Sequence, residues 1–78
     1  MDKNELLTRI AAILTTLDET KGSPESMLYI FMGMDMDKWS QVRNILIDAD
    51  LVQIKSHYVT LTPKGKETAQ KLNKAIGH

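Results

Sequence analysis

Hydrophobic residues recur at three- and four-residue intervals near the start of the chain, which is the period of an amphipathic helix. Seven of the apolar side chains fall within an arc of about 160° around such a helix, namely Leu6, Leu7, Ile10, Ala11, Ile13, Leu14 and Leu17. Asp2 or Asn4 can cap its start, and Lys21-Gly22 suits its end, because lysine complements the helix dipole and glycine accepts a left-handed cap. The pattern predicts a first helix from about Asn4 to Asp18.

A second helix is predicted directly after this glycine. Ser23-Pro24-Glu25 is typical of a helix start, with serine as the N-cap, proline in the first turn and glutamate at the positive end of the dipole. The run Met27–Met32 that follows is apolar on nearly every side. We therefore expect this helix to be largely buried, or partly covered by a partner, and to stop at Gly33.

The third helix is predicted over about Met36–Ala49, with Asp35 as its N-cap. Five apolar residues share an arc of about 120° and predict its buried side. These are Trp39, Val42, Ile45, Leu46 and Ala49. Because a short turn containing Gly33 joins this helix to the preceding one, the pair has the signature of a helix-turn-helix.

After Asp50 the hydrophobic pattern changes from a helical to a strand period. Residues 51–54 and 58–61 are rich in β-branched and aromatic side chains, and the polar Lys55-Ser56-His57 lies between them. This arrangement predicts a β-hairpin with a connection of about three residues. Thr62-Pro63 then forms a second cap-plus-proline start, which predicts a last helix over about Pro63–Ala75.

Composition and charge narrow the class of protein. The 78 residues are sufficient for one domain, and their apolar fraction of 42% can form a compact core. Net charge is zero, but residues 1–50 carry a net charge of −4 and residues 51–78 a net charge of +4. A balanced charge is not typical of a nucleic-acid-binding protein, and only the last third of the chain is basic.

The order of elements and two short motifs resemble the winged helix-turn-helix family, including MarR- and PadR-like regulators of bacteria and archaea. One motif is Asp48-Ala49-Asp50-Leu51-Val52, where a small and acidic helix end precedes a leucine-valine pair. The other is Leu61-Thr62-Pro63-Lys64-Gly65, which starts the last helix. The resemblance covers about residues 4–76. It implies a mainly α fold with a small hairpin, in the order α1-α2-α3-β-hairpin-α4, as one domain over residues 1–78.

The resemblance also implies a DNA-binding transcriptional regulator that acts as a dimer on double-stranded DNA. Helix 3, about residues 36–49, would enter the major groove, and the short wing, about residues 52–61, would contact the DNA beside it. Base-reading candidates on its outward face are Ser40, Gln41 and Asn44, since glutamine and asparagine can pair with adenine N7 and N6. Phosphate-contact candidates are Lys38, Arg43, Lys55, Lys64 and Lys66. An ordinary solvated helix face and ordinary solubility charges are the alternatives.

The alternative function is a winged-helix module that binds another protein without appreciable DNA binding. Helix 3 with its caps has two basic and four acidic residues, and Asp37 and Asp48 on its outward face repel phosphate. Protein-interface candidates are Met27, Met34, Met36 and Ile47, because methionine suits adaptable contacts. Packing against the core is the alternative for these side chains. Trp39 could stack on a base, but its position predicts core packing.

No residue pattern indicates catalysis or a bound cofactor. The chain has no glycine-rich phosphate loop, nucleophile motif or zinc-binding His-Glu motif. His57 and His78 are too far apart in sequence to indicate a metal site. The apolar run Met27–Met32 is far shorter than the ~20 residues of a membrane span. The lack of cysteine and of a basic, apolar leader favours the cytoplasm.

Overall fold

The computed structural model describes residues 2–75, which form four helices and a three-stranded antiparallel sheet. The elements are α1 Lys3–Thr20, β1 Ser23–Pro24, α2 Glu25–Phe31, α3 Met36–Asp48, β2 Val52–Lys55, β3 Tyr58–Leu61 and α4 Pro63–Ala75. The predicted helices and hairpin are confirmed, whereas β1 is an element that the sequence pattern did not predict. His78 lies outside the described residues.

Three helices begin at side-chain caps. The carboxylate of Asp2 accepts a hydrogen bond of 2.7 Å from the backbone N–H of Glu5. Asp35 likewise accepts one of 2.9 Å from Lys38, so its predicted role as the N-cap of α3 is confirmed. Thr62 Oγ1 accepts one of 3.0 Å from Gly65 at the start of α4. These bonds satisfy N–H groups that have no partner within the first helical turn.

The strand β1 corrects the prediction for Ser23 and Pro24. In the sheet order β1-β3-β2, Ser23 pairs with Val59 and Pro24 with Tyr58. The serine is therefore extended backbone at a sheet edge, and Pro24 itself is the N-cap of α2, without a side-chain cap. Proline is tolerated here because an edge strand does not need every N–H in the ladder.

The hairpin turn is shorter than predicted. Lys55 pairs with Tyr58 as the last rung of the β2–β3 ladder, so only Ser56 and His57 form the connection. Both have positive φ, 50° and 63°. This is the backbone of a two-residue hairpin turn of type I′, whose twist matches that of the strands. Serine and histidine are unusual there, which is why the sequence suggested a longer connection.

The core lies between α1, α3, α4 and the sheet. It consists of Ile13, Leu14, Leu17, Leu28, Met34, Trp39, Val42, Leu46, Val52, Val59 and Ala69. On α3 the predicted burial of Trp39 is confirmed, but Ile45 lies at the margin and is exposed. Of the two expectations for α2, burial within the fold is wrong, whereas partial cover by a partner stays a prediction. This seven-residue helix buries Leu28 and Glu25 and leaves most of its other apolar side chains in solvent.

The start of α4 is fixed by close backbone packing against the segment that joins α3 to β2. Thr62 donates through its N–H to the carbonyl of Leu51 at 3.1 Å and through its hydroxyl to the carbonyl of Asp50 at 2.5 Å. Gly65 lies so near that a Cβ there would come within 1.9 Å of the Leu51 oxygen. Only glycine permits this approach, which orients α4 for packing on α1.

Candidate functional site

A buried carboxylate, that of Glu25, lies where α2, α3 and the hairpin turn meet. Among residues 2–75, Glu25 is the only charged residue that is buried, with 8% of its surface exposed. Its Oε1 accepts hydrogen bonds from Trp39 Nε1 at 2.7 Å and from Arg43 Nη1 at 3.1 Å. Its Oε2 lies 3.3 Å from His57 Nδ1. We call these four residues the Glu25 cluster.

The backbone brings the Glu25 cluster together. The N–H of Glu25 donates to the carbonyl of His57 at 2.7 Å, which continues the β1–β3 contact into the first residue of α2. Trp39 and Arg43 are four residues apart on α3 and therefore lie on the same side of that helix. The cluster thus joins the hairpin turn to both helices through one side chain.

The cluster keeps Glu25 ionised. Burial raises the pKa of this carboxyl, but the hydrogen bonds from Trp39, His57 and Arg43, together with the charge of Arg43, outweigh that effect. The resulting pKa is below the ordinary value of 4.5. At neutral pH the carboxylate is therefore an acceptor that holds its donors, and it has no proton to give.

A solvent-open cavity of about 600 Å³ lies beside the carboxylate. Its walls come from the start of α2, one flank of α3 and the hairpin turn. They are Pro24, Glu25, Ser26, Tyr29, Met36, Arg43, Ser56, His57 and Tyr58. The hairpin turn and this flank of α3 are consequently neighbours across the cavity, and a macromolecule that touches one can touch the other.

The predicted base-reading candidates lie together on the outward face of α3. Gln41 and Asn44 are exposed and three residues apart, so their amide groups project from the same side. Ser40 lies at the edge of this face and is half-buried. The exposed carboxylates of Asp37 and Asp48 share the face, as the sequence predicted. It is therefore polar and not basic.

The predicted phosphate-contact candidates do not form one group. Lys55 is exposed beside the hairpin turn, and Lys38 is exposed on α3, about 140° around the helix from Arg43. Lys64 and Lys66 are exposed at the other end of the hairpin, where β2 and β3 meet the start of α4. Lys38 and Arg43 therefore lie on opposite flanks of the outward face of α3, and only Arg43 faces the hairpin turn.

Arg43 differs from the other predicted phosphate contacts because its guanidinium has a partner within the protein. Nη1 lies 3.1 Å from the Glu25 carboxylate, and the side chain is 39% exposed. Its Nε is buried and has no hydrogen-bond partner among residues 2–75. Arg43 is therefore first a member of the Glu25 cluster, and a phosphate would have to compete with Glu25 for it.

The predicted protein-interface candidates separate into buried and exposed residues. Met34 is 6% exposed and belongs to the core, so it is corrected from an interface residue to a packing residue. Its burial follows from the turn after α2, where its N–H donates to the carbonyl of Tyr29 at 2.9 Å and the side chain points inward. Met27, Met36 and Ile47 are exposed, with 57%, 56% and 45% of their surfaces in solvent.

The sequence reasoning missed the role of Glu25 and its contact with the hairpin turn. A signal was present, because a buried tryptophan normally needs an acceptor for its indole N–H. The sequence offered several carboxylates for that purpose, including Asp35 four residues before Trp39, but the Asp35 carboxylate caps α3 instead. The choice of Glu25 depends on the pairing of β1 with β3, which brings the start of α2 to this position.

Comparison with known proteins gives no information about the family or function of this chain. No protein-family model, curated protein or solved structure matches this chain. Among residues 2–75, no group of three or more histidine, cysteine, aspartate or glutamate side chains is arranged to hold a metal ion. Within the same residues, no helix is both long and apolar enough to cross a bilayer. Function must therefore be inferred from the fold and the surface around α3.

Proposed function

We propose that this chain is a winged helix-turn-helix domain that binds double-stranded DNA as a transcriptional regulator. In this proposal α3 occupies the major groove and the β2–β3 hairpin is the wing. The order of elements supports it, because α2, the turn of residues 32–35 and α3 are followed by a hairpin and a further helix. That order is the one expected of the winged-helix family.

The observation that carries the proposal is the exposed amide pair on α3 beside a hairpin turn held by the Glu25 cluster. Gln41 and Asn44 form no hydrogen bond or ion pair with the other described residues, so their amides are free to pair with base edges. Such side chains can recognise adenine through its N7 and N6 atoms. The Glu25 cluster connects the hairpin turn to the flank of α3 that carries Arg43.

The charges around α3 predict a modest affinity for DNA. Phosphate contacts supply most of the sequence-independent affinity for DNA, and α3 and the hairpin contribute one lysine each, Lys38 and Lys55. The carboxylates of Asp37 and Asp48 oppose binding on the same face. Specific contacts by Gln41 and Asn44 would therefore supply a larger share of the binding free energy than in a basic domain.

The test is selection of tight-binding sequences from a library of randomised duplexes at about 50 mM salt. Binding of the best duplex is then measured for the wild-type protein and for Gln41→Ala and Asn44→Ala. We expect each change to weaken binding by about 1–3 kcal/mol, which corresponds to roughly 5- to 150-fold. Gln70→Ala is the matched control, since Gln70 is an exposed amide on α4, outside this face.

Two results would contradict the proposal. One is the absence of any duplex binding by the wild-type protein at that salt concentration. The other is a selected complex that Gln70→Ala weakens as much as Asn44→Ala does. The second result would retain DNA binding but assign it to a different face of the molecule.

A second candidate function is binding of another protein through α3 without appreciable DNA binding. The observation that favours it is the exposure of Met36 and Ile47 on the flank of α3 next to its acidic face. Salt dependence separates the two functions. Binding to DNA releases counterions, so a DNA complex weakens as the salt concentration rises. An apolar contact between proteins does not weaken in that way.

A further inference from the structure

The outward side of the sheet carries an exposed aromatic ring among basic and polar side chains. Val52 and Val59 point into the core, so the residues that alternate with them along β2 and β3 point away from it. In the register of the two strands these outward residues form two neighbouring pairs, Lys55 with Tyr58 and Gln53 with Thr60. The first pair lies next to the hairpin turn, and the second lies closer to the start of α4.

The ring of Tyr58 is supported by the backbone of Gly22. A Cβ added at Gly22 would come within 2.7 Å of Cε2 of the ring, so only glycine permits this approach. Gly22 is also buried and has a φ of 132°, a backbone conformation that side chains rarely adopt. Tyr58 nevertheless keeps 46% of its surface in solvent. An aromatic ring that is held in place and still exposed can receive a flat ligand group at a small cost in ordering.

The charged side chains on this side of the sheet are lysines. Lys55 lies opposite Tyr58, and Lys21 and Lys66 share a small cavity of about 110 Å³ with Thr60. These three lysines are exposed and form no ion pair with any other residue of the range 2–75. The strands β1, β2 and β3 contain no acidic residue. We call six residues the sheet face, namely Lys21, Gln53, Lys55, Tyr58, Thr60 and Lys66.

We propose that the sheet face binds a single-stranded nucleic acid. One base stacks on Tyr58, and phosphates on either side of that base contact Lys55 at one end of the face and Lys21 and Lys66 at the other. Proteins commonly hold single strands by stacking bases on aromatic side chains within a positively charged surface. A duplex does not suit this surface in the same way, because its bases are stacked on one another and cannot reach the ring.

The sheet face is small, so it should bind weakly and without sequence preference. Tyr58 and Thr60 are about 7 Å apart along β3, which leaves room for only a few nucleotides between the lysines at the two ends. The base stacks through its flat surface, which every base has, and no hydrogen-bond pattern on this face selects one base over another. The affinity should therefore depend on the ring and on the three lysines.

The first measurement is the fluorescence anisotropy of labelled oligo-dU and oligo-rU, each of about 12 nucleotides, at about 50 mM salt. We expect a Kd on the order of 10⁻⁵ to 10⁻³ M. The slope of log Kobs against log salt concentration should be about −2, because each of three phosphate contacts to a single strand contributes about −0.7. Binding of either oligonucleotide supports the proposal, and the tighter one identifies the sugar that the face prefers. If neither oligonucleotide binds at about 1 mM protein, the proposal is overturned.

The second measurement tests the ring. Tyr58→Thr removes it but keeps a residue that favours strands, and we expect binding to weaken roughly 5- to 150-fold, the effect of losing one stacked base. Tyr58→Phe retains the ring and should bind as the wild type does. An equal loss for the two variants would contradict stacking. Stacking would also be contradicted if Tyr58→Thr weakened the binding of a blunt duplex of the same length as much as that of the single strand.

The third measurement tests the lysines without altering the ring. Lys55→Gln and Lys66→Gln remove one charge at each end of the sheet face, and each should reduce the magnitude of the salt slope by about 0.7. Lys38→Gln is the matched control, since Lys38 is an exposed lysine on α3, outside the sheet face. A reduction by Lys38→Gln as large as that by Lys66→Gln would assign the single strand to a different surface and overturn the proposal.

The outcome is independent of the proposed binding of duplex DNA by α3. Asn44 lies outside the sheet face, so Asn44→Ala should leave the affinity for the single strand unchanged. A chain that binds the single strand but selects no duplex would retain this proposal and contradict the proposed function. A chain that selects a duplex through Asn44 but binds neither oligonucleotide would do the opposite.

Discussion

The indole Nε1 of Trp39 donates a hydrogen bond of 2.7 Å to Oε1 of Glu25. Trp39 is 1% exposed, so this bond connects the centre of the core to the surface where the hairpin turn lies. Arg43 and His57 contact the same carboxylate. One residue of α2 therefore satisfies a buried donor of the core and positions the turn relative to α3.

Glu25→Gln should lower the free energy of unfolding at pH 7 by about 1–3 kcal/mol. The amide can still accept from Trp39, but the half-buried Arg43 loses its counter-charge. Urea unfolding followed by circular dichroism measures the change. Glu67→Gln is the matched control, because Glu67 forms an exposed ion pair with Lys71. This change should alter the free energy of unfolding by less than about 0.5 kcal/mol. Equal effects of the two changes would contradict a structural role for Glu25.

The stability of the wild-type protein should fall on acidification partly through Glu25. The pKa of this carboxyl is lower in the folded protein than its ordinary value of 4.5, because Trp39, His57 and Arg43 stabilise the ionised form. The ionised carboxylate therefore contributes its full stabilisation above pH 4.5. This contribution is lost as the pH falls through the pKa of Glu25 in the folded protein. Thermal unfolding between about pH 6 and pH 2.5 should therefore show a smaller loss of Tm for Glu25→Gln than for wild type. Parallel curves would exclude this contribution.

Gly65→Ala should destabilise the protein strongly. Its new Cβ would meet the carbonyl oxygen of Leu51 at 1.9 Å, and a backbone atom cannot move aside as a flexible side chain can. We expect a loss of about 3 kcal/mol or more, measured by urea unfolding. Lys64→Ala, an exposed change in the same turn of α4, should be nearly neutral. A stable Gly65→Ala protein would show that α4 is not held by this close approach.

Elements that depend on local chemistry were predictable from the sequence. The bounds of α4 were predicted as observed, because Thr62 and Pro63 mark its start within two residues. The start of α3 was also predicted, because Asp35 caps it. The strand β1 was not predictable in this way. Its pairing depends on Val59 and Tyr58, which lie opposite and more than thirty positions later in the sequence.

The candidate site was partly predictable for the same reason. The outward face of α3 follows from helical periodicity, so Gln41 and Asn44 could be assigned to that face without a structure. The partner of Arg43 was not, because Glu25 is distant in sequence and reaches α3 only through the fold. Helical periodicity likewise could not distinguish the buried Met34 from the exposed Met36, since both lie at or beside the turn between helices.

Ser56→Asn should stabilise the hairpin. Ser56 has a φ of 50° at the first position of a type I′ turn, where asparagine tolerates positive φ better than serine. We expect a gain of about 0.5 kcal/mol, or roughly 2–4 °C in Tm, measured by calorimetry. Ser26→Asn is the matched control, because this exposed serine lies in α2, where the two residues have similar helix propensities. A gain of the same size at Ser26 would mean that the turn conformation is not the cause.

If the chain binds duplex DNA as proposed, the salt dependence of that binding should report which lysines contact phosphate. If Lys38 and Lys55 are the contacts, the slope of log Kobs against log salt concentration should be about −2 for the wild-type protein. Lys38→Gln and Lys55→Gln should each reduce its magnitude by about 1, because each removes one released counterion. Lys64→Gln is the matched control, since Lys64 lies at the opposite end of the hairpin from the turn. A reduction by Lys64→Gln as large as that by Lys55→Gln would mean that the DNA reaches the start of α4. The arrangement proposed for α3 and the wing would then be wrong even though the chain binds DNA.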